Sequence, residues 1–193
     1  DSIQTNSLKK VFLQLKKQIE KEFSTIKKNL LIEFDNHPIT KEIEMGPSAS
    51  NISGTLGKGN LFSFLGFKSS QKPINIIRKA LNETTIRFEQ PKKGKNISIA
   101  FYVDYPTIEY IYSITPLPWA SGRSWVWSVE RGVSGIGQYV YLENKDLKSS
   151  RSGPAIQNKN QKVSSRFRNS SYLTRIIRNF EKNINSLNKK YLK

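Results

Sequence analysis

Few side chains in this sequence could do chemistry, and their spacing decides against most of it. The single histidine, His37, stands just before Pro38, where capping or packing at a helix start is the expected role. One imidazole makes a multi-histidine metal site impossible and leaves none for a Ser-His-Asp triad elsewhere. Cysteine is absent, which removes disulfides, thiol catalysis and cysteine-ligated zinc. The run GTLGKGN, residues 54–60, invites a phosphate-loop reading. That loop needs G-x-x-x-x-G-K-[ST] after an apolar strand, whereas here Lys58 precedes Gly59 and Asn60 follows it. The run reads instead as a flexible loop. Asp104, closing IAFYVD, together with Glu143 and Lys145 from YLENK, has the residue types of a metal-dependent nuclease. In such a site acids hold the ion and lysine assists the water or the leaving charge. The pattern is short, and a strand exit carrying Glu and Lys is more often solubilising charge. SSRSGPAIQ, residues 149–157, offers hydroxyls without a base. The expectation is a protein that is not an enzyme and has no catalytic residues, metal or cofactor.

Charge is the strongest compositional signal. Lysine and arginine total 32 against 15 acids, a net +17 over 193 residues. Such a field favours polyanions or acidic protein surfaces, although a total charge has no address and also suits a merely solvated basic surface. No run of about 18 apolar residues exists, so no membrane partner is expected. The first residues, DSIQTNSLKK, lack the charged-then-apolar pattern of a secretory signal.

The elements that must position these residues follow from periodicity. Leu8, Phe12, Leu15, Ile19, Phe23, Ile26, Leu30 and Phe34 recur every three or four residues, predicting one amphipathic helix over 7–34. Residues 48–67 read as a Ser/Asn/Gly loop leading into an apolar strand from Leu61 to Phe67. Ile74, Ile77 and Leu81 predict a helix over 73–83. TTIRFEQ and NISIAFYVD, joined by PKKGK, predict a hairpin within a sheet region spanning 84–144. YPTIEYIYSI fits a short helix or a strand, and RSWVWSVERG is ambiguous between the two. Residues 145–169 form an extended basic arm, and 172–191 a closing amphipathic helix. The expected fold is a single α+β domain over 1–193: a small antiparallel sheet packed with the long N-terminal and the C-terminal helices, plus the arm.

Two stretches carry a resemblance: HPITKEIEMGPSASNISGTLGKGNLFSFLGF, and TPLPWASGRSWVWSVERGVSGIGQYVYLENKDLKSSRSGPAIQ. They resemble virion structural proteins of contractile-tailed bacteriophages, especially those of marine cyanobacteria. The element order is similar to that of neck and tail-completion proteins, with a TGxL loop near Gly54-Thr55-Leu56 and a W-V-E-x-G segment near Trp127, Glu130 and Gly132. The helix at 73–83, the arm at 145–169 and the longer glycine loop depart from that pattern. The resemblance implies a ring-forming, non-enzymatic homo-oligomer at the head–tail junction, made in the host cytoplasm, with other neck or tail proteins as partners and non-specific contact with packaged DNA.

For such a ring the candidate interface is Leu61, Phe62, Phe64 and Leu65, the tryptophans Trp119, Trp125 and Trp127, and Arg151, Arg166 and Arg168. Tryptophan beside arginine fits the composition of interface anchors. Lys145, Lys148, Arg151, Lys159 and Lys162 are the candidate phosphate contacts, suited to holding a backbone without reading bases. The alternative is a DNA-binding or metal-dependent DNA-processing protein.

Overall fold

The computed structural model describes residues 2–56, 59–89, 99–118, 120–131, 139–141, 155–157, 168 and 170–191. Helix α1 runs Ser2–Asn36, longer than its apolar repeat predicts. It packs along α7, Leu173–Tyr191, the other strongly amphipathic segment. The two are antiparallel: Lys190 and Tyr191 at the end of α7 both reach Glu22, while Asn179 reaches Glu33 further along α1. Ile19, Phe23, Leu30 and Phe34 of α1 and Ile176, Ile177, Phe180, Ile184 and Leu187 of α7 are buried between them and the rest of the core. None of residues 9–18 is fully buried, although Phe12 and Leu15 pack against the edge of the core.

Pro38 starts α2, Pro38–Met45, and a single 3-10 turn over Gly46–Ser48 ends it. Leu61 to Phe67 is not the predicted strand. It is a short helix, α3, Leu61–Phe64, closed by a left-handed Gly66. Asn60 caps its start by accepting from the Ser63 N–H. At its end Gly66 N–H donates to Ser63 O and Phe67 N–H to Phe62 O, the two bonds of a glycine-terminated helix. The apolar contact that accompanies this ending is made by the Phe62 and Phe67 rings, 5.5 Å apart.

Helix α4, Pro73–Asn82, follows the predicted pattern and buries Ile74, Ile77, Ala80 and Leu81. The predicted hairpin forms from β1, Thr85–Phe88, and β2, Phe101–Asp104, in antiparallel register with Ile86 opposite Val103. YPTIEYIYSI resolves to a helix, α5, Ile108–Ser113, because the Thr107 hydroxyl caps it by accepting from the Tyr110 N–H. The ambiguous RSWVWSVERG divides at Ser124. Strand β4, Ala120–Ser124, pairs with β3, Pro116–Leu117, and α6 then runs Trp125–Arg131. Ser124 makes the switch, its Oγ accepting from the Trp127 N–H at 3.1 Å. Strands β5, Tyr139–Tyr141, and β6, Ala155–Gln157, form a further antiparallel pair, the latter within the predicted arm. The fold is thus α+β, as expected, with its strands in separate antiparallel pairs among the described residues.

Phe34 shows how tightly this core is built. Its ring is fully buried, stacks on Tyr172 at 6.3 Å and carries the Arg78 guanidinium over its face. Phe34→Ala should lower stability by about 3–5 kcal/mol, measured by urea unfolding.

Candidate functional site

The polar centre of the molecule is one carboxylate. Glu130, in the last turn of α6, accepts four hydrogen bonds. Its Oε1 takes the backbone N–H groups of Tyr172 and Thr174, at 3.0 and 2.7 Å. Its Oε2 takes the hydroxyls of Tyr112 and Thr174, at 2.7 and 2.6 Å. The first N–H groups of a helix lack intrahelical acceptors, and negative charge is stabilised there. Glu130 therefore caps α7 from a helix more than forty residues earlier, and Tyr112 brings α5 to the same point.

Tyr172 extends the cluster. Its hydroxyl is 2.6 Å from Thr40 Oγ1 of α2, and its ring lies 4.7 Å from His37. Full burial pushes the phenol pKa far upward, so Tyr172 stays neutral. His37 caps α2, as its place before Pro38 suggested: Nδ1 accepts from the Ile39 N–H. Burial, helped by the nearby positive charge of Arg175, lowers its pKa to about 4.

A second carboxylate, that of the fully buried Glu42 of α2, holds the glycine loop. Its Oε2 accepts from Ser53 N–H and its Oε1 from Leu61 N–H, both at 2.7 Å. Within the loop Ser53 Oγ meets Thr55 Oγ1, and Asn60 Nδ2 donates to Pro47 O. The ends of residues 51–60 are thus tied down on both sides. The far end of the arm joins this unit: Arg168 N–H donates to Thr55 O and Ser170 N–H to Val129 O. The glycine loop and α6 therefore meet through the segment leading into α7.

Aromatic rings fill the space between them. Phe67 meets Trp125 edge-on at 5.9 Å, and Trp125 lies 6.4 Å from Tyr172. This corrects part of the predicted interface. Leu61, Phe62, Leu65 and Trp125 are buried within the chain, Trp125 to 1% exposure. Helix α3 packs on α2 and the 3-10 turn, and Trp125 on Phe67 and Tyr172, so a partner cannot reach this apolar surface without opening the fold. Phe64 is half-buried at the edge of the core. Trp127 differs: α6 turns Trp125, Val126, Ser128 and Val129 inward and leaves Trp127 44% exposed. The side chain of Arg168 is exposed while its backbone is anchored. Trp119, Arg151, Arg166, Lys145, Lys148, Lys159, Lys162 and Glu143 lie outside the described residues.

The nuclease set gains no support from the one member described. Both oxygens of Asp104 are held by the Arg87 guanidinium across the β1–β2 hairpin. Among the described residues no group of three or more His, Asp and Glu side chains could hold a metal. An open hollow of about 250 Å³ lies beside Trp125, lined by Phe67, Lys72, Pro73, Ile76 and Pro116. Compared with protein-family models, curated proteins and solved structures, the chain matches none.

Two outcomes follow from this geometry. Glu130→Ala strands two amides and two hydroxyls and should cost roughly 3 kcal/mol or more. Glu130→Gln should cost less, since one oxygen still accepts from the amides and both hydroxyls can turn to accept from its NH₂. Thermal unfolding of the pair checks the order. His37 gives a pH signature. In the unfolded chain it protonates near pH 6.5, in the folded chain only near 4, so the unfolded state binds more protons between these values. His37 should therefore contribute a stability loss of about 2 kcal/mol as pH falls from 6.5 to 4. His37→Asn keeps an acceptor for the Ile39 N–H and should flatten that part of the stability–pH profile.

Proposed function

We propose that this chain is a structural subunit of a tailed-phage virion, of the neck or tail-completion type, that assembles into a homo-oligomeric ring at the head–tail junction. The reading rests on the two resembling sequence stretches. The observation that carries it furthest is Trp127. A seven-residue helix with every neighbouring side chain from 125 to 129 buried leaves its bulkiest remaining ring in solvent. An exposed tryptophan on a rigid support, at the surface of a unit fixed by Glu130, has the character of an interface anchor. The glycine loop, tied at both ends by Glu42 and Asn60, offers a second firm edge to a neighbour. In this reading the chain carries out no reaction. It supplies shape, contact area and basic charge to a ring whose neighbours are further copies and other neck or tail proteins.

The mass of the purified protein in solution, with electron microscopy of the same sample, tests the reading. A ring is expected for the natural sequence. Trp127→Ser should shift the population towards monomer while leaving the unfolding midpoint within a few degrees, since the ring is not part of the core. A protein that stays monomeric at all concentrations and is missing from purified virions contradicts the proposal.

A further inference from the structure

We propose that one row of lysines on α1 is a surface by which this chain holds duplex DNA through its phosphates. Lys10, Lys17, Lys21 and Lys28 follow one another at spacings of seven, four and seven residues. At 3.6 residues per turn these spacings place all four within about 20° of a single line along the helix. All four are exposed. The line lies opposite the buried stripe of Ile19, Phe23 and Leu30, so it faces away from the core.

Of the three remaining lysines of α1, Lys9, Lys16 and Lys27, the last two provide a contrast. Lys16 pairs with Glu20 and lies over the Phe88 ring, and Lys27 donates to Asn82 O at 2.6 Å. They stand on an adjacent face and are engaged within the chain. The four lysines of the row form no ion pair among the described residues. Gln14 and Ser24, which fall between them on the same line, bring no negative charge, so acids do not interrupt the row.

A straight row of positive charge suits a long, regular polyanion better than a compact one. From Lys10 to Lys28 the rise is about 27 Å, the length of about eight base pairs. Lysine ammonium groups act as point charges on flexible stems, which fits phosphate contact without base readout. A lipid surface fits less well. From Ile19 onward the apolar face opposite the row is buried in the core, so it cannot enter a bilayer as a surface-bound amphipathic helix would. The row does not depend on the ring assignment, because a monomer would present it equally.

The test is a salt titration of full-length protein binding to a labelled mixed-sequence duplex of about 24 base pairs. The variant K10Q/K17Q/K21Q/K28Q is compared with K41Q/K68Q/K72Q/K79Q, which removes the same charge from exposed lysines outside α1. Exposed substitutions of this kind should leave folding nearly unchanged, which circular dichroism checks. Each lost phosphate contact lowers the slope of log K against log salt by about 0.9, so the row variant should lose about three to four units of slope. Its affinity at moderate salt should fall at least tenfold, while the control keeps the natural slope. Absence of salt-dependent binding by the natural protein overturns the proposal. So do equal losses in both variants, which would assign the effect to total charge. A row variant that loses only its binding to phosphatidylserine vesicles would assign the surface to lipid and overturn it as well.

Discussion

The hydrogen bonding of the Glu130 carboxylate is the constraint on which the rest of the structure depends. Four donors from α5 and the start of α7 converge on its two oxygens. Tyr172, placed by one of those bonds, presents its hydroxyl to α2 and its ring to Phe34 of α1. The long helix pair α1–α7 is thereby joined at one end to the Trp125 region, while Glu22 ties the other end. A charged acceptor at a helix start makes stronger bonds than a neutral cap and removes several unmet donors at once. Glu42 repeats the device on the glycine loop.

The same use of acids leaves many lysines without an acidic partner. Glu33, Glu42, Glu89, Glu130 and Glu181 all accept from neutral amides or hydroxyls. These carboxylates organise the fold without neutralising a lysine. Asp35 and Glu44 are taken together by a single arginine, Arg78, and Asp104 by Arg87. The lysines on the outer face of α1 are left facing solvent without an acidic partner, within a chain whose 32 basic and 15 acidic side chains give a net +17. An excess of this kind raises the local concentration of polyanions around the protein.

Much of the fold could be read from the sequence where the signal is local. The apolar repeats of α1, α4 and α7, the PKKGK-linked hairpin and the capping histidine before Pro38 are all short-range patterns. Ser124 and Thr107 are local signals too: as caps they divide RSWVWSVERG into strand and helix and make YPTIEYIYSI a helix. Asn60 and Gly66 bracket the helix that its apolar run disguised as a strand. The roles of Glu42 and Glu130 could not be read in this way, because their donors lie 11 to 44 residues away in the chain. The aromatic residues posed a different difficulty. Composition marks Trp125 and Trp127 alike, and only the packing of α6 against Phe67 and Tyr172 separates a core ring from an exposed one.

Two carboxylates, the buried Glu42 and the half-buried Glu130, fix the glycine loop and the start of α7 as firmly as the hydrophobic core does. Amide hydrogen exchange of the native protein tests this most directly, at Tyr172 and Thr174 for Glu130 and at Ser53 and Leu61 for Glu42. These four amides should exchange only as slowly as those of Ile176 and Ile177 in the middle of the α7 core face, through openings that approach global unfolding. Fast exchange at the four amides while Ile176 and Ile177 stay protected would contradict the account.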